Sequence, residues 1–189
     1  TLTMPRWMKR SFRIIGIMLL LWLVLAQSCM KMRISDKKAQ KEFTEAGIKL
    51  QTTVKKINEF PLHYAQTGND TMPTLLFVHG TPGSWDAFKS YLKNKELLQN
   101  YRIISVDRPG FGYSDFGNAM NLTQQTEIIA AWMDSINNNK PFIIIGHSLG
   151  GPMAVKLAAA RPQYTKAIVL LAPSLDPALE KPEKWRPVL

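Results

Sequence analysis

Phe142-Ile143-Ile144-Ile145-Gly146-His147-Ser148-Leu149-Gly150-Gly151-Pro152-Met153 is the stretch that decides how this chain is read. Its four leading apolar residues suit a strand buried on both faces of a sheet. Residues 149–160 read as a helix, stopped at Arg161-Pro162. Between the two lies a G-x-S-x-G pattern, so strand must pass into helix through a very tight turn. Side chains at positions 146 and 150 would strike neighbouring backbone, and glycine has none. Such a turn lifts the hydroxyl of Ser148 above the sheet on a strained backbone. The helix start behind it offers free N–H groups and a positive dipole end to a developing oxyanion. Pro152 is tolerated because first-turn N–H groups have no helical partner.

Working outward, the apolar run 74–78 reads as a buried strand, 102–106 as the next strand and 167–171 as a further buried strand. Two alternating segments, 48–57 and 62–66, flank Asn58-Glu59-Phe60-Pro61 and read as a hairpin. Ser84 is placed to cap a helix over 85–98 with Trp85, Phe88, Tyr91 and Leu92 on one face. Thr123 is placed to cap another through 136. Strand and helix alternate, which predicts an α/β chain with a mostly parallel sheet and helices on both faces.

Two more motifs follow strands. His79-Gly80-Thr81-Pro82-Gly83 comes directly after 74–78, and Asp107-Arg108-Pro109-Gly110-Phe111-Gly112-Tyr113-Ser114 after 102–106. Both therefore sit at the carboxyl end of the sheet, where such folds place their sites. His79 is expected to brace its loop and not to act as a base. Asp107 and Arg108 are expected to organise the second loop, not to supply a catalytic acid.

HGTPG, DRPGFGYSD and GHSLGG, in that order, resemble the α/β-hydrolase superfamily, in its serine-nucleophile esterase, peroxidase and C–C hydrolase branch. The resemblance runs over 62–172 and covers the amino-terminal part of that fold only. It implies an α/β-hydrolase fold truncated before the lid and last strands, with Ser148 as nucleophile. It also implies that the loop after the first buried strand supplies an oxyanion donor. Pro82 has no N–H, so Thr81 is the candidate, partnered by the N–H of Leu149. No cofactor and no metal are implied. Serine at 148 separates the chain from the haloalkane dehalogenase and epoxide hydrolase branches, which use aspartate there.

The family order is serine, then acid, then histidine. No histidine follows His147, which is itself Ser148's neighbour in the turn, and His63 lies on an early strand. Asp176 stands where some branches place the acid; its other reading is a cap or turn residue before Pro177. Two accounts compete. One is a fragment of a hydrolase of an ester, thioester or amide, inactive alone, whose substrate is a small-molecule or lipid-like acyl compound. The other is a catalytically inactive α/β-hydrolase-like binding protein. Met153 and Trp85 read either as pocket lining or as core.

The chain has 189 residues, 46% of them apolar, and a net charge of +10. Most of that charge precedes residue 39, where Arg6, Lys9, Arg10, Arg13, Lys31, Arg33, Lys37 and Lys38 face one acid, Asp36. The body is nearly balanced and shows no basic stripe interleaved with aromatics, which excludes nucleic acid as a partner. Four basic residues, the apolar run 14–26 and then Ala26-Gln27-Ser28-Cys29 have the layout of an export signal. The last four residues resemble the bacterial lipoprotein box, with Ala26 and Gln27 departing from it, and imply lipidation of Cys29. A plain signal peptide and an uncleaved anchor are the other readings, and Met4 reads as the start. Each places the body outside the cytoplasm: membrane-anchored, or periplasmic or secreted. The expected organisation is a signal over 1–29, a tether with a short helix over 30–46, an incomplete hydrolase core over 47–172 and the start of a lid over 173–189.

Overall fold

The computed structural model describes residues 5–29, 33–114, 119–176 and 178, the side chains at 6 and 26–29 excepted. The chain divides into two units, Thr1–Met32 and Arg33–Leu189. The first holds α1, Arg6–Cys29, whose apolar side chains such as Ile14, Leu20 and Trp22 are exposed. No helix among the described residues is long and apolar enough to cross a membrane. Met4 and the Cys29 thiol, on which the start and lipidation readings rest, lie outside the described part.

The second unit is a six-stranded sheet flanked by helices. Its strands are β1 (Gln51–Ile57), β2 (Phe60–Thr67), β3 (Thr74–Val78), β4 (Arg102–Val106), β5 (Phe142–His147) and β6 (Thr165–Leu171). They lie in the order β1-β2-β4-β3-β5-β6. β1 and β2 form the antiparallel hairpin, β2 runs antiparallel to β4, and β4, β3, β5 and β6 are mutually parallel. The hairpin turn is tighter than expected. Ile57 pairs with Phe60, so Asn58 and Glu59 alone turn the chain, at φ of 45° and 69°. Two left-handed residues give a turn whose twist matches the strands, and Phe60 and Pro61 join β2.

Every residue of β3 and β4 is buried; the two polar residues of β4 are satisfied there, Arg102 Nε donating to the Thr74 hydroxyl and Ser105 Oγ to the Trp85 carbonyl. On one face α5 (Leu122–Ile136) and α6 (Gly150–Ala160) press Trp132, Met133, Met153 and Leu157 onto Leu76, Val78, Ile104 and Ile144. On the other face Phe43, Trp85, Phe88 and Leu92 cover Phe77, Ile103 and Ile145.

The structure departs from several expectations and refines another. Residues 85–98 form three short pieces: a 3₁₀ turn Trp85–Phe88, α3 Lys89–Leu92 and α4 Lys95–Leu98. Ser84 makes no capping bond; Asn94 breaks the run by accepting from the N–H groups of Glu96 and Leu97, which starts a fresh turn. The cap of α5 is Asn121, not Thr123. It forms a reciprocal capping box with Gln124, which satisfies two otherwise orphaned donors.

The short helix expected within 30–46 is present, and it packs on the body. Helix α2, Asp36–Glu45, buries Ala39 and Phe43 in the body, with Ile34 and Leu50 beside them. Lys89 Nζ reaches Glu42 at 3.0 Å, and the Tyr113 hydroxyl donates to the Ile34 carbonyl at 2.9 Å. The spacing of Ala39 and Phe43 puts them on one helix face, a sparse stripe that looks scattered in sequence. Finally, among the described residues β6 pairs on one side only, at the sheet edge, and leaves Ile168 and Val169 about two-fifths exposed, 39% and 42%. It is not buried on both faces. Of the expected lid region, only 173–176 and 178 are described.

Candidate active site

Ser148 stands between β5 and α6 with φ of 51°, a left-handed backbone that a serine adopts only under constraint. The constraint is visible on both sides. A Cβ at Gly146 would meet the Gly150 carbonyl, and one at Gly150 would meet the Val78 carbonyl of β3. The backbone N–H of Ser148 donates to the Leu171 carbonyl of β6 at 3.1 Å. Its carbonyl accepts from Gly151 at 2.9 Å and from Ser174 at 3.1 Å. The serine's own N–H is thus committed to β6, and the next one, that of Leu149, stands at the N-cap position of α6.

The HGTPG loop closes onto this turn. A Cβ at Gly80 would lie 2.8 Å from Ser148 Cβ and 3.2 Å from the His147 carbonyl. Only glycine permits that approach, and it brings exposed Thr81 into the neighbourhood of the serine. The Thr81–Pro82 peptide is cis. Behind it His79 is fully buried. Its Nδ1 lies 2.7 Å from the Gly80 carbonyl, and its Nε2 accepts the Arg108 N–H at 3.1 Å. That pattern places its proton on Nδ1. Burial, with the Arg108 charge adding to it against the Gly80 bond and Asp107, lowers its pKa to about 4. A buried ring with both nitrogens occupied braces the loop, as expected.

Asp107 is sealed from solvent and fully used. It accepts from Trp85 N–H at 2.6 Å, Tyr113 N–H at 2.9 Å and His63 Nδ1 at 2.7 Å. Ser114 Oγ donates to its carbonyl at 2.8 Å. Asp107 organises the loop, in agreement with the sequence. The pairing with His63 was not foreseen. It depends on β2 lying antiparallel against β4, which no local pattern reveals.

Asp176 is exposed, and its Oδ1 accepts from Ala178 N–H at 2.9 Å, the geometry of a turn residue. Met153 and Trp85 are completely buried in opposite clusters, so both are core. A groove of about 510 Å³ between α5 and α6 is lined by Thr123, Glu127, Lys156 and Arg161, and holds neither Ser148 nor Thr81. Among the described residues no group of three or more His, Cys, Asp or Glu could hold a metal ion.

Residues 73–189 match the family model described as alpha/beta hydrolase fold. Epoxide hydrolase 1 of Caenorhabditis elegans is 29% identical over 117 residues, 60% of this chain and 28% of that protein. The AB hydrolase superfamily protein YfhM of Bacillus subtilis is 30% identical over 129 residues, 66% of this chain and 43% of its own length. A pimeloyl-[acyl-carrier protein] methyl ester esterase of Nitrosomonas europaea is 34% identical over 114 residues, 59% and 40% of the two chains. The chain thus spans less than half the length of these relatives.

Among solved structures, an epoxide hydrolase from Vigna radiata superimposes with a TM-score of 0.58 at 26% identity, over 75% of this chain and 44% of that one. A bacterial membrane phospholipase A does so with a TM-score of 0.63, over 87% and 52%; at 22% identity this speaks for the fold alone. These relatives bear the names of different reactions, so the likeness fixes a scaffold and leaves the chemistry to the residues at the site. The strand order, the elbow at Ser148 and the matched family model agree that this chain belongs to the α/β-hydrolase family.

Proposed function

We propose that this chain carries the nucleophile half of a serine hydrolase that cleaves an ester, thioester or amide. In this reading Ser148 Oγ attacks the acyl carbon, and the N–H groups of Thr81 and Leu149 hold the resulting oxyanion. The supporting observation is the strained turn at Ser148, pressed against Gly80 at the carboxyl end of the sheet. A hydroxyl needs a base. His63 is taken by Asp107, and His79 by Gly80 and Arg108. His147 adjoins Ser148 in the turn and is poorly placed to take its proton. We therefore assign the catalytic histidine and acid to polypeptide beyond the described residues. The half-exposed edge strand β6 supports this, because further strands would cover it.

The same reading makes the protein exported and held at a membrane through its first 29 residues, with Cys29 as the lipid acceptor and an acyl compound, small or lipid-like, as substrate. It rests on the order of basic residues, apolar run and single cysteine.

The test compares the 189-residue chain with the gene product read onward in frame past Leu189. Each is treated with p-nitrophenyl acetate and a fluorophosphonate. The longer product is expected to turn over and to be labelled at Ser148, Ser148→Ala to do neither, and the 189-residue chain to show negligible turnover. Turnover by the short chain that vanishes in Ser148→Ala would overturn the missing base. Labelling that persists in Ser148→Ala would overturn the nucleophile. A folded longer product inert in both assays would establish the binding-protein alternative. Mass spectrometry of protein from bacterial membranes reads the lipid on Cys29 directly.

A further inference from the structure

Arg108 is a buried cation that forms no ion pair among the described residues. The residue is 3% exposed, and its Nε has no hydrogen-bond partner. No carboxylate forms an ion pair with it among the described residues; its neighbour Asp107 is committed to Trp85, Tyr113 and His63. Arg102, also buried, is different: its Nε and Nη2 share the Thr74 hydroxyl and Nη2 reaches the Ile136 carbonyl. The head of Arg108 is held by two contacts. Nη2 donates to Thr81 Oγ1 at 2.6 Å, and the guanidinium carbon lies 4.5 Å from the centre of the Phe111 ring. An unpaired buried charge opposes folding, so its presence calls for a compensating role.

The same residue also grips the loop from behind. Its backbone N–H donates to His79 Nε2, and His79 Nδ1–H donates to the Gly80 carbonyl. Arg108 therefore holds the 79–81 segment at both ends, by main chain at His79 and by side chain at Thr81. Between the two grips lies Gly80, the point of closest approach to Ser148. The charge is felt along the loop, since Arg108 is one of the groups that disfavour protonation of His79.

We propose that Arg108 is a positioning residue for the oxyanion donor at Thr81. Its guanidinium fixes the Thr81 side chain, and with it the aim of the Thr81 N–H. Its positive charge, unpaired among the described residues, finds a counter-charge in the oxyanion that forms when Ser148 is acylated. That negative charge exists only in the transition state and the tetrahedral intermediate. An interaction with it lowers the barrier without tightening substrate binding. This role rests on the serine-hydrolase reading above.

The experiment uses the longer gene product and follows displacement of fluoride from a fluorophosphonate by Ser148 Oγ. Rate constant and reagent affinity are measured separately for wild type, Arg108→Gln, Arg108→Lys, Thr81→Val and the Gln/Val double variant. Arg108→Gln is expected to slow the covalent step by about ten- to a hundredfold at unchanged affinity. Arg108→Lys, which keeps the charge, is expected to recover most of that loss. Thr81→Val removes the hydroxyl partner and should cost a similar factor, with the double variant no slower than the slower single one.

In the 189-residue chain, hydrogen exchange over 79–84 should quicken in Arg108→Gln while exchange over 146–151 stays unchanged. A wild-type rate in Arg108→Gln, multiplying losses in the double variant, or unaltered exchange over 79–84 each overturn the proposal. If Arg108→Gln does not melt cooperatively, Thr81→Val decides: a wild-type rate there overturns it. Absence of labelling in wild type, or labelling that survives Ser148→Ala, overturns the nucleophile itself and this role with it. A slow Arg108→Gln that labels only at Ser148 supports both.

Discussion

The rings of Phe43 and Trp85 lie 6.3 Å apart, centre to centre, and both side chains are sealed from solvent. Through this contact α2 covers one face of the sheet, and Trp85 in turn donates its N–H to Asp107. Phe43→Ala leaves a cavity at a junction between helix, sheet and active-site loop. The expected loss is about 3–5 kcal/mol, read as a lower urea midpoint at an unchanged slope. A loss below about 1 kcal/mol would show α2 to be a loosely held arm.

The neutral His79 predicts an acid-sensitive fold. Its pKa is lowered by burial from 6.5 to about 4. Between those values the unfolded chain binds a proton that the folded chain does not. The stabilisation is therefore complete above pH 6.5 and is lost as pH falls toward 4, by up to about 3 kcal/mol. Urea midpoints at pH 7, 5.5 and 4.5 measure it. His79→Gln, less stable at pH 7, should show a flatter decline; an identical decline would assign the titration to another group.

Asn121 and Thr123 make a paired test of the α5 cap. Asn121→Ala breaks the reciprocal box with Gln124 and should cost about 1 kcal/mol. Thr123, the second residue of the helix, is exposed, and Thr123→Ala should change stability by no more than about 0.5 kcal/mol. Equal losses would return the cap to Thr123.

Gly80→Ala separates stability from reactivity. The new methyl group would stand 2.8 Å from Ser148 Cβ, so the loop or the serine must move. The expected result is a loss of fluorophosphonate labelling in the longer product that exceeds any change in melting temperature. Labelling at the wild-type rate would mean that the Gly80–Ser148 approach is not required.

The central strands and the elbow were legible because each is dictated locally. β3 carries the apolar run 75–78 and β4 the apolar residues Ile103, Ile104 and Val106, and the Gly146–Gly150 spacing answers a clash within one turn. The brace at His79 was legible for the same reason, since its partner Gly80 is the next residue. What escaped was set by long-range pairing. Ala39 and Phe43 look like stray apolar residues until Trp85 is beside them. His63 and Asp107 lie 44 positions apart and meet only through the β2–β4 ladder. An apolar run such as 167–171 reads alike at the centre of a sheet and at its edge. The break at Asn94 and the cap at Asn121 were competitions between nearby polar side chains, which propensity alone does not resolve.

The docking of residues 33–46 also bears on the order of events during synthesis. Arg33 donates to the Gly112 carbonyl and stacks over the Tyr113 ring, across 79 positions of sequence. A chain made from its amino terminus completes α2 long before Trp85, Phe88 and Tyr113 emerge to receive it. Until then the stripe at Ile34, Ala39 and Phe43 has no seat, because its partners lie far along the sequence. A nascent chain halted before Trp85 would therefore present that greasy stripe to whatever chaperone waits at the exit.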